Sequence, residues 1–273
     1  MGLVWGLLTS LSIGGSDLFA RRIVHRHGAL AAAVPMQAVA IVSSLAVVLA
    51  TGGTMRAGDL ALGAASGVGM AVGMWTYLGG VQRASAAVVA PIVAVLSTIV
   101  PYGAALARGS SPSMLAAAGA GVAVVGLVLV TATGVAGNIS TGVRWGLVSG
   151  VGYGVGLSIV LWVDDASGSW PAVPQRLVAF SLLGVVAARS GATAIPPAGL
   201  RLVAVIAGVF AGLSTVFYLF GLEADETSTV VAASLFPAIS VVVGRVSFDD
   251  SVTFRQAVGV GVVIIGVIGV ALG

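Results

Sequence analysis

The sequence predicts an all-α polytopic membrane protein, with ten transmembrane helices arranged as two inverted five-helix repeats. Three observations lead there. Of 273 residues, 58% are hydrophobic and 8% charged, with a mean hydropathy of +1.13. Soluble domains run about 45–50% apolar and about 25% charged, so this chain has too few charges to clothe a globule of its size in water. Cutting the chain at its charges and turn residues leaves ten apolar stretches near the roughly 20 residues that a bilayer-crossing helix requires. Finally, its two halves echo one another at a shift of about 140 residues.

The predicted spans are about 2–20, 31–50, 60–81, 85–107, 114–134, 144–163, 172–188, 202–222, 228–247 and 254–273. The loops between them are too short for a folded soluble domain, which places the working part of the protein inside the bilayer. The seventh span has only twelve uncharged residues between Arg176 and Arg189 and draws on the Trp170–Gln175 segment, with Pro171 and Pro174. The ninth is confined between Glu226 and Arg245. Tilted or locally thinned packing accommodates both. No basic n-region or small-residue cleavage pattern precedes Arg21, so a removable signal peptide is not expected.

The repeat rests on rare residues. WGLLTSLSIGG from Trp5 pairs with WGLVSGVGYGV from Trp145. Gly67, Tyr77 and Gly80 find counterparts in Gly208, Tyr218 and Gly221, and Gly119 and Gly126 in Gly259 and Gly266. Tryptophan and tyrosine occur only five and four times, so their matched register outweighs chance agreement among 40 glycines. The repeats are residues 1–137 and 138–273. Five spans per repeat is an odd number, so the second copy enters the membrane from the opposite side, an architecture typical of secondary transporters.

The inventory removes several chemistries. With no cysteine there is no disulfide, thiolate nucleophile or Cys-ligated cluster. All twelve basic residues are arginine, which removes lysine-based phosphate binding and Schiff-base chemistry. His25 and His27 are expected in the loop after the first span, so a serine–histidine pair at membrane depth is not available. No enzyme activity and no cofactor are expected, and the scattered arginines do not suit nucleic acid. The expected partners are the lipid bilayer, a small organic solute and a coupling proton or ion. A passive channel or facilitator and a non-transporting assembly subunit remain as alternatives.

Nine arginines fall on one side of the ten spans: Arg21, Arg22, Arg26, Arg83, Arg144, Arg189, Arg201, Arg245 and Arg255. Arg56, Arg108 and Arg176 fall on the other, with Asp59, Asp164, Asp165, Glu223, Asp225 and Glu226. The positive-inside rule then puts the nine-arginine side in the cytoplasm and both termini outside.

Candidate site residues follow from the cost of polarity and helix breaks in a bilayer. Asp17 is the one acid assigned to a span, and a carboxylate at a helix centre costs about 2.5–3.5 kcal/mol on insertion scales. It is the candidate for proton coupling. An i,i+4 ion pair with Arg21 accounts for it equally well. Pro91 and Pro237 interrupt the fourth and ninth spans, equivalent helices of the two halves, and matched breaks point to a transporter's central site. Gln37, Trp75, Tyr77, Tyr153 and Tyr218 are further candidates to line a cavity, although interfacial aromatic belts also use such residues. The glycines at four-residue intervals, Gly142, Gly146, Gly150 and Gly154, read as a helix-packing face.

The whole chain resembles a ten-helix EamA-type member of the drug/metabolite transporter superfamily. SAAVVAPIVAVLSTIVP at 85–101 is similar to that family's fourth helix, SLFPAISVVVG at 234–244 to its ninth, and FRQAVGVGVVIIGVIGV at 254–270, with Gln256 and Gly259, to its last. The usual Gly-Glu after the fourth and ninth helices is replaced by Arg108-Gly109 and Gly244-Arg245. The resemblance implies a secondary transporter in the cytoplasmic (inner) membrane that exports small metabolites or drugs. Its central cavity would lie among the first, third, fourth, sixth, eighth and ninth helices. It also implies cytoplasmic termini, opposite to the arginine count.

Overall fold

The computed structural model describes residues 1–84, 86–131, 139–233, 235–236, 239 and 254–272. Among them every regular element is a helix. The helices are α1 (Gly2–His27), α2 (Ala29–Thr51), α3 (Ala57–Arg83), α4 (Ala86–Ala107), α5 (Met114–Thr131), α6 (Ile139–Ile159), α7 (Ala172–Ser190), α8 (Arg201–Ala224), α9 (Glu226–Ala233) and α10 (Phe254–Leu272). Short 3₁₀ turns at Val160–Trp162, Asp165–Ser167 and Ala198–Leu200 complete them. Six segments among the described residues are long and apolar enough to cross a bilayer: Gly2–Val24, Ala29–Thr51, Ala57–Arg83, Ser140–Trp162, Ala172–Ser190 and Ala198–Ala224. The chain is a polytopic membrane protein.

Among the described residues the predicted spans recur with one instructive extension, while most of the ninth, 228–247, and the end of the fifth lie outside those residues. The first span was expected to stop near residue 20, with both histidines in a loop. Instead α1 runs on to His27, about 39 Å in all, so His25 and His27 belong to its last turns. Arginine is a good helix former, and its long side chain carries the charge outward along the helix, so the charges mark the membrane boundary without ending the helix. Gly28 alone then links α1 to α2, with φ 88° and its amide bonded to the Val24 carbonyl (3.0 Å). Only glycine takes that backbone conformation without strain.

Helix directions can be read from the glycine contacts. Moving along α3 from Ser66 to Gly73 moves backward along α6, from Gly156 to Ser149, so the pair is antiparallel. Moving from Gly146 to Gly154 runs forward along α4, from Ile92 to Val100, and Gly2 to Gly6 runs forward along α9. At α5 and α10 the contact is reciprocal. A β-carbon at Gly126 would lie 2.6 Å from the Val263 nitrogen and 3.0 Å from the Gly259 carbonyl. One at Gly266 would meet the Ala123 nitrogen and lie 2.7 Å from the Gly119 carbonyl. Adding 140 converts each partner into the other. The principal packed pairs behave likewise: α3 on α6 mirrors α8 on α1, α2 on α8 mirrors α7 on α3, and α4 on α6 mirrors α9 on α1. With no hydrophobic drive between helices in lipid, such close backbone approach at small residues holds the bundle.

The helix ends differ in charge. At one end the connections 52–56 and 163–171 close on each other: Asp59 accepts from Ser167 Oγ (2.6 Å) and the Asp164 amide (3.3 Å), and Trp170 Nε1 donates to the Gly53 carbonyl (3.2 Å). Arg56 pairs with Asp164, and Arg108 with Glu226 at 3.4 Å. The Ala166 amide, and secondarily Arg56, hold the Asp164 carboxyl below the usual carboxylate range. That stabilisation is present above the ordinary pKa and is lost as pH falls through the lowered one. Arg21, Arg22, Arg26, Arg83, Arg144, Arg189, Arg201 and Arg255 lie toward the opposite helix ends, away from these acids.

Arg176 requires a correction. It was assigned to the loop side together with Arg56 and Arg108, although the predicted span 172–188 already enclosed it. In the structure it lies inside α7 and is 1% exposed.

Candidate functional site

The middle of the bundle holds a cluster of polar side chains with a small cavity, about 30 Å³, beside it. That is room for one or two waters. Its walls come from α1 (Ile13, Ser16, Asp17), α3 (Met70, Met74), α4 (Ser97), α6 (Tyr153, Leu157), α7 (Arg176) and α8 (Ala211, Ser214), with Phe236 after α9. Both halves contribute equivalent positions. Adding 140 takes Ile13 to Tyr153 and Asp17 to Leu157, and adding 141 takes Met70 to Ala211, all on the cavity wall.

Arg176 is the centre of the polar network. Its guanidinium donates to Gln37 Oε1 (3.4 Å), Ser214 Oγ (3.1 Å), Thr215 Oγ1 and the Ala211 carbonyl. These acceptors are all neutral. Among the described residues no ion pair joins Arg176 to a carboxylate, and its Nε is buried without a partner. Around it the hydroxyl directions are fixed. Ser66 donates to the Gly156 carbonyl (2.6 Å), which leaves its oxygen to accept from Gln175 Nε2 (2.7 Å). Thr215 donates to Gln175 Oε1 (2.7 Å), which leaves its oxygen facing Arg176. The chain of bonds crosses α6, α3, α7 and α8, so the guanidinium is held by partners that are themselves held.

Asp17 lines the same cavity at 6% exposure. Arg21 stands one turn along α1, its charge acts on Asp17, and its guanidinium donates to Tyr77 Oη at 2.7 Å. Gln37 is fully buried, accepting from Arg176 and donating to Met74 Sδ (3.3 Å). Tyr153 stands on the cavity wall and Tyr77 in the adjoining apolar core. Two candidates lie elsewhere. Trp75 stacks edge-on against Trp145 between α3 and α6, ring centroids 6.2 Å apart. Tyr218 belongs to a separate apolar cluster with Leu161 and Val230. Pro91 falls within α4 with its side chain outside the described residues, and Pro237 lies outside them altogether.

Sequence reading missed Arg176, Gln175, Ser66 and Thr215. The available signal was the short seventh span itself. An arginine inside twenty apolar positions is either a boundary or a buried functional group, and only packing distinguishes the two.

Residues 1–132 match the EamA-like transporter family. That match covers just under half of the chain. Asp17, Gln37, Trp75, Tyr77 and Pro91 fall in the EamA-like segment, whereas Tyr153, Arg176, Tyr218 and Pro237 fall beyond it. No curated protein matches the chain. Twenty-seven chains of solved structures do. One, described only as the crystal structure of a protein, is 16% identical with a TM-score of 0.78, over 99% of this chain and 98% of that one. At that identity the likeness concerns the fold. The chain therefore shares a whole-length architecture with a solved protein.

Proposed function

We propose that the protein is a secondary, alternating-access transporter that exports a small organic solute across the cytoplasmic membrane. The observation that carries this is the central cavity: buried, walled by equivalent positions of both halves, and furnished with two ionisable groups. A carboxylate and a guanidinium are expensive at membrane depth and mark solute or ion pathways. The reciprocal α5–α10 contact and the mirrored packing support two repeats, 1–137 and 138–273. Their antiparallel pairing at α5–α10 supports a pseudo-two-fold axis across the helices, which is the inverted arrangement of secondary transporters. In this conformation the cavity admits only water, so a solute enters when the helices around it part. The sequence has no lysine for a phosphate-binding loop, so the driving force is an ion gradient or the solute's own.

Reconstituted protein should show saturable flux and counterflow, with trapped unlabelled solute accelerating entry of labelled solute. Flux that neither saturates nor shows counterflow means a channel. Asp17 is the candidate for proton coupling. Flux through wild-type protein should respond to an imposed pH step, and Asp17→Asn should lose that response. An unchanged response assigns Asp17 a structural part.

The charge asymmetry of the helix ends favours the acidic end outside, with both termini. The chain lacks cysteine, which makes this directly testable. Ser111→Cys and Arg26→Cys, both exposed positions near opposite helix ends, should respond differently to an impermeant thiol reagent on intact cells. Position 111 should label and position 26 should not. The reverse pattern inverts the orientation.

A further inference from the structure

Away from the central cavity, the seam between α3 and α6 opens outward as an apolar groove of about 520 Å³. Gly69 and Gly152 form its floor, where the two backbones meet, and exposed valines such as Val68 on α3 and Val151 on α6 form its rims. Its α6 wall, Leu147–Val155, runs about 12 Å along the helix. Just beyond that wall, toward the arginine-rich helix ends, Trp145 stands edge-on to Trp75. The Arg83 guanidinium folds back over the Trp145 ring, 4.7 Å from its centroid, and donates to the Gly79 carbonyl (3.2 Å). Arg144, next to Trp145 in sequence, is exposed. Among the described residues no carboxylate forms an ion pair with either arginine.

The mirrored seam, α8 on α1, is furnished differently. Adding 141 takes Gly69 to Phe210 and Gly79 to Phe220, and subtracting 140 takes Trp145 to Trp5. There the protein's own rings pack along the seam. Trp5 lies against Phe217 and Phe220, with centroids 5.7 and 5.2 Å away, and Phe210 lies over Gly15. Arg83 and Arg144 become Ala224 and Val4. An open apolar wall and a basic mouth therefore occur together on one seam, where the other carries rings and no arginine at the equivalent positions.

We propose that the α3–α6 groove binds one anionic phospholipid, with an acyl chain along the valines and its phosphate on Arg83 and Arg144. Charge complementarity selects this occupant. Basic pockets between transmembrane helices suit anionic head groups, and tryptophan sits at head-group level. Arginine's planar fork matches the phosphate oxygens. A second copy seated here by a two-fold axis along the membrane normal would instead crowd both pairs of arginines together, at the cost of like-charge repulsion.

The test is native mass spectrometry of the purified full-length chain, stripped of lipid in detergent and titrated with phosphatidylglycerol or phosphatidylcholine of identical chains. Wild type should bind one phosphatidylglycerol about tenfold more tightly than phosphatidylcholine. Arg83→Gln/Arg144→Gln should abolish that preference, and Arg144→Gln alone, which leaves Arg83 on Trp145, should reduce it. Arg189→Gln/Arg201→Gln, which changes two exposed arginines near the same end of the bundle, should keep it. Val68→Phe/Val151→Phe, which sets rings in the groove as in the mirrored seam, should weaken both lipids alike. No preference in wild type, a preference that survives loss of Arg83 and Arg144, or an equal loss in the Arg189 and Arg201 control overturns the proposal. Binding indifferent to the added rings does so too. A dimer that forms without lipid and is dissociated by those rings would seat a second copy in the groove and likewise overturn it.

Discussion

Replacing Arg176 with methionine should lower solute counterflow by at least about 100-fold while leaving the unfolding temperature within a few degrees of wild type. The two halves of this expectation have separate causes. Loss of two charge-assisted bonds to a solute at about 1.5–3 kcal/mol each removes about 3–6 kcal/mol of binding, and every 1.4 kcal/mol is tenfold. Stability behaves otherwise because a buried ion exchanged for an apolar side chain of similar volume is often neutral or better. Thr215 keeps its bond to Gln175 and Ser214 its bond to the Ala211 carbonyl (2.8 Å). All four acceptors lose the guanidinium, but only Gln37 Oε1 has no other hydrogen bond among the described residues, at a cost of about 1–3 kcal/mol. Arg176→Lys, which keeps the charge and loses the fork, should fall between the two. Counterflow of Arg176→Met within threefold of wild type would make the arginine a structural residue.

The second large effect concerns packing. A β-carbon at Gly69 would lie 2.7 Å from the Gly152 carbonyl, 2.8 Å from the Gly156 nitrogen and 2.9 Å from its Cα. All three atoms are backbone and cannot rotate away, so α3 and α6 must separate. Gly69→Ala should therefore destabilise by about 1–3 kcal/mol, and Gly69→Leu should yield little monodisperse protein. Gly121→Ala is the control. Nothing lies within 4 Å of its added methyl, and alanine favours the helix by up to about 1 kcal/mol, so its unfolding temperature should hold or rise. If Gly69→Ala melts like Gly121→Ala, the backbone contact at the α3–α6 seam does not hold the helices together.

The helical skeleton was legible because a bilayer enforces it. A run of about twenty apolar residues has few alternatives there, and the predicted starts of α3, α4, α5, α7 and α8 fall within three residues of the observed ones. The register between halves was legible at Trp5 and Trp145 for a different reason, since rare residues resist chance. What the sequence hid was depth. Arg21 and Arg176 look alike in one dimension, each an arginine beside an apolar run, yet one reaches the Tyr77 hydroxyl at a helix end and the other is enclosed. Burial is decided by neighbours distant in sequence, here Gln37 and Thr215. Trp75 and Tyr218 misled for the complementary reason: an aromatic residue serves a seam between helices as well as a cavity wall.

The one-residue joint at Gly28 ties two rods end to end with no slack. Under the alternating-access reading, whatever tilts the first would drag the second, so the carboxylate of Asp17 and the amide of Gln37, one on each arm, would travel as a single jaw against the guanidinium opposite. A spacer of several flexible residues inserted there would uncouple the jaw's two arms, leaving the grip intact at rest and faulty in motion.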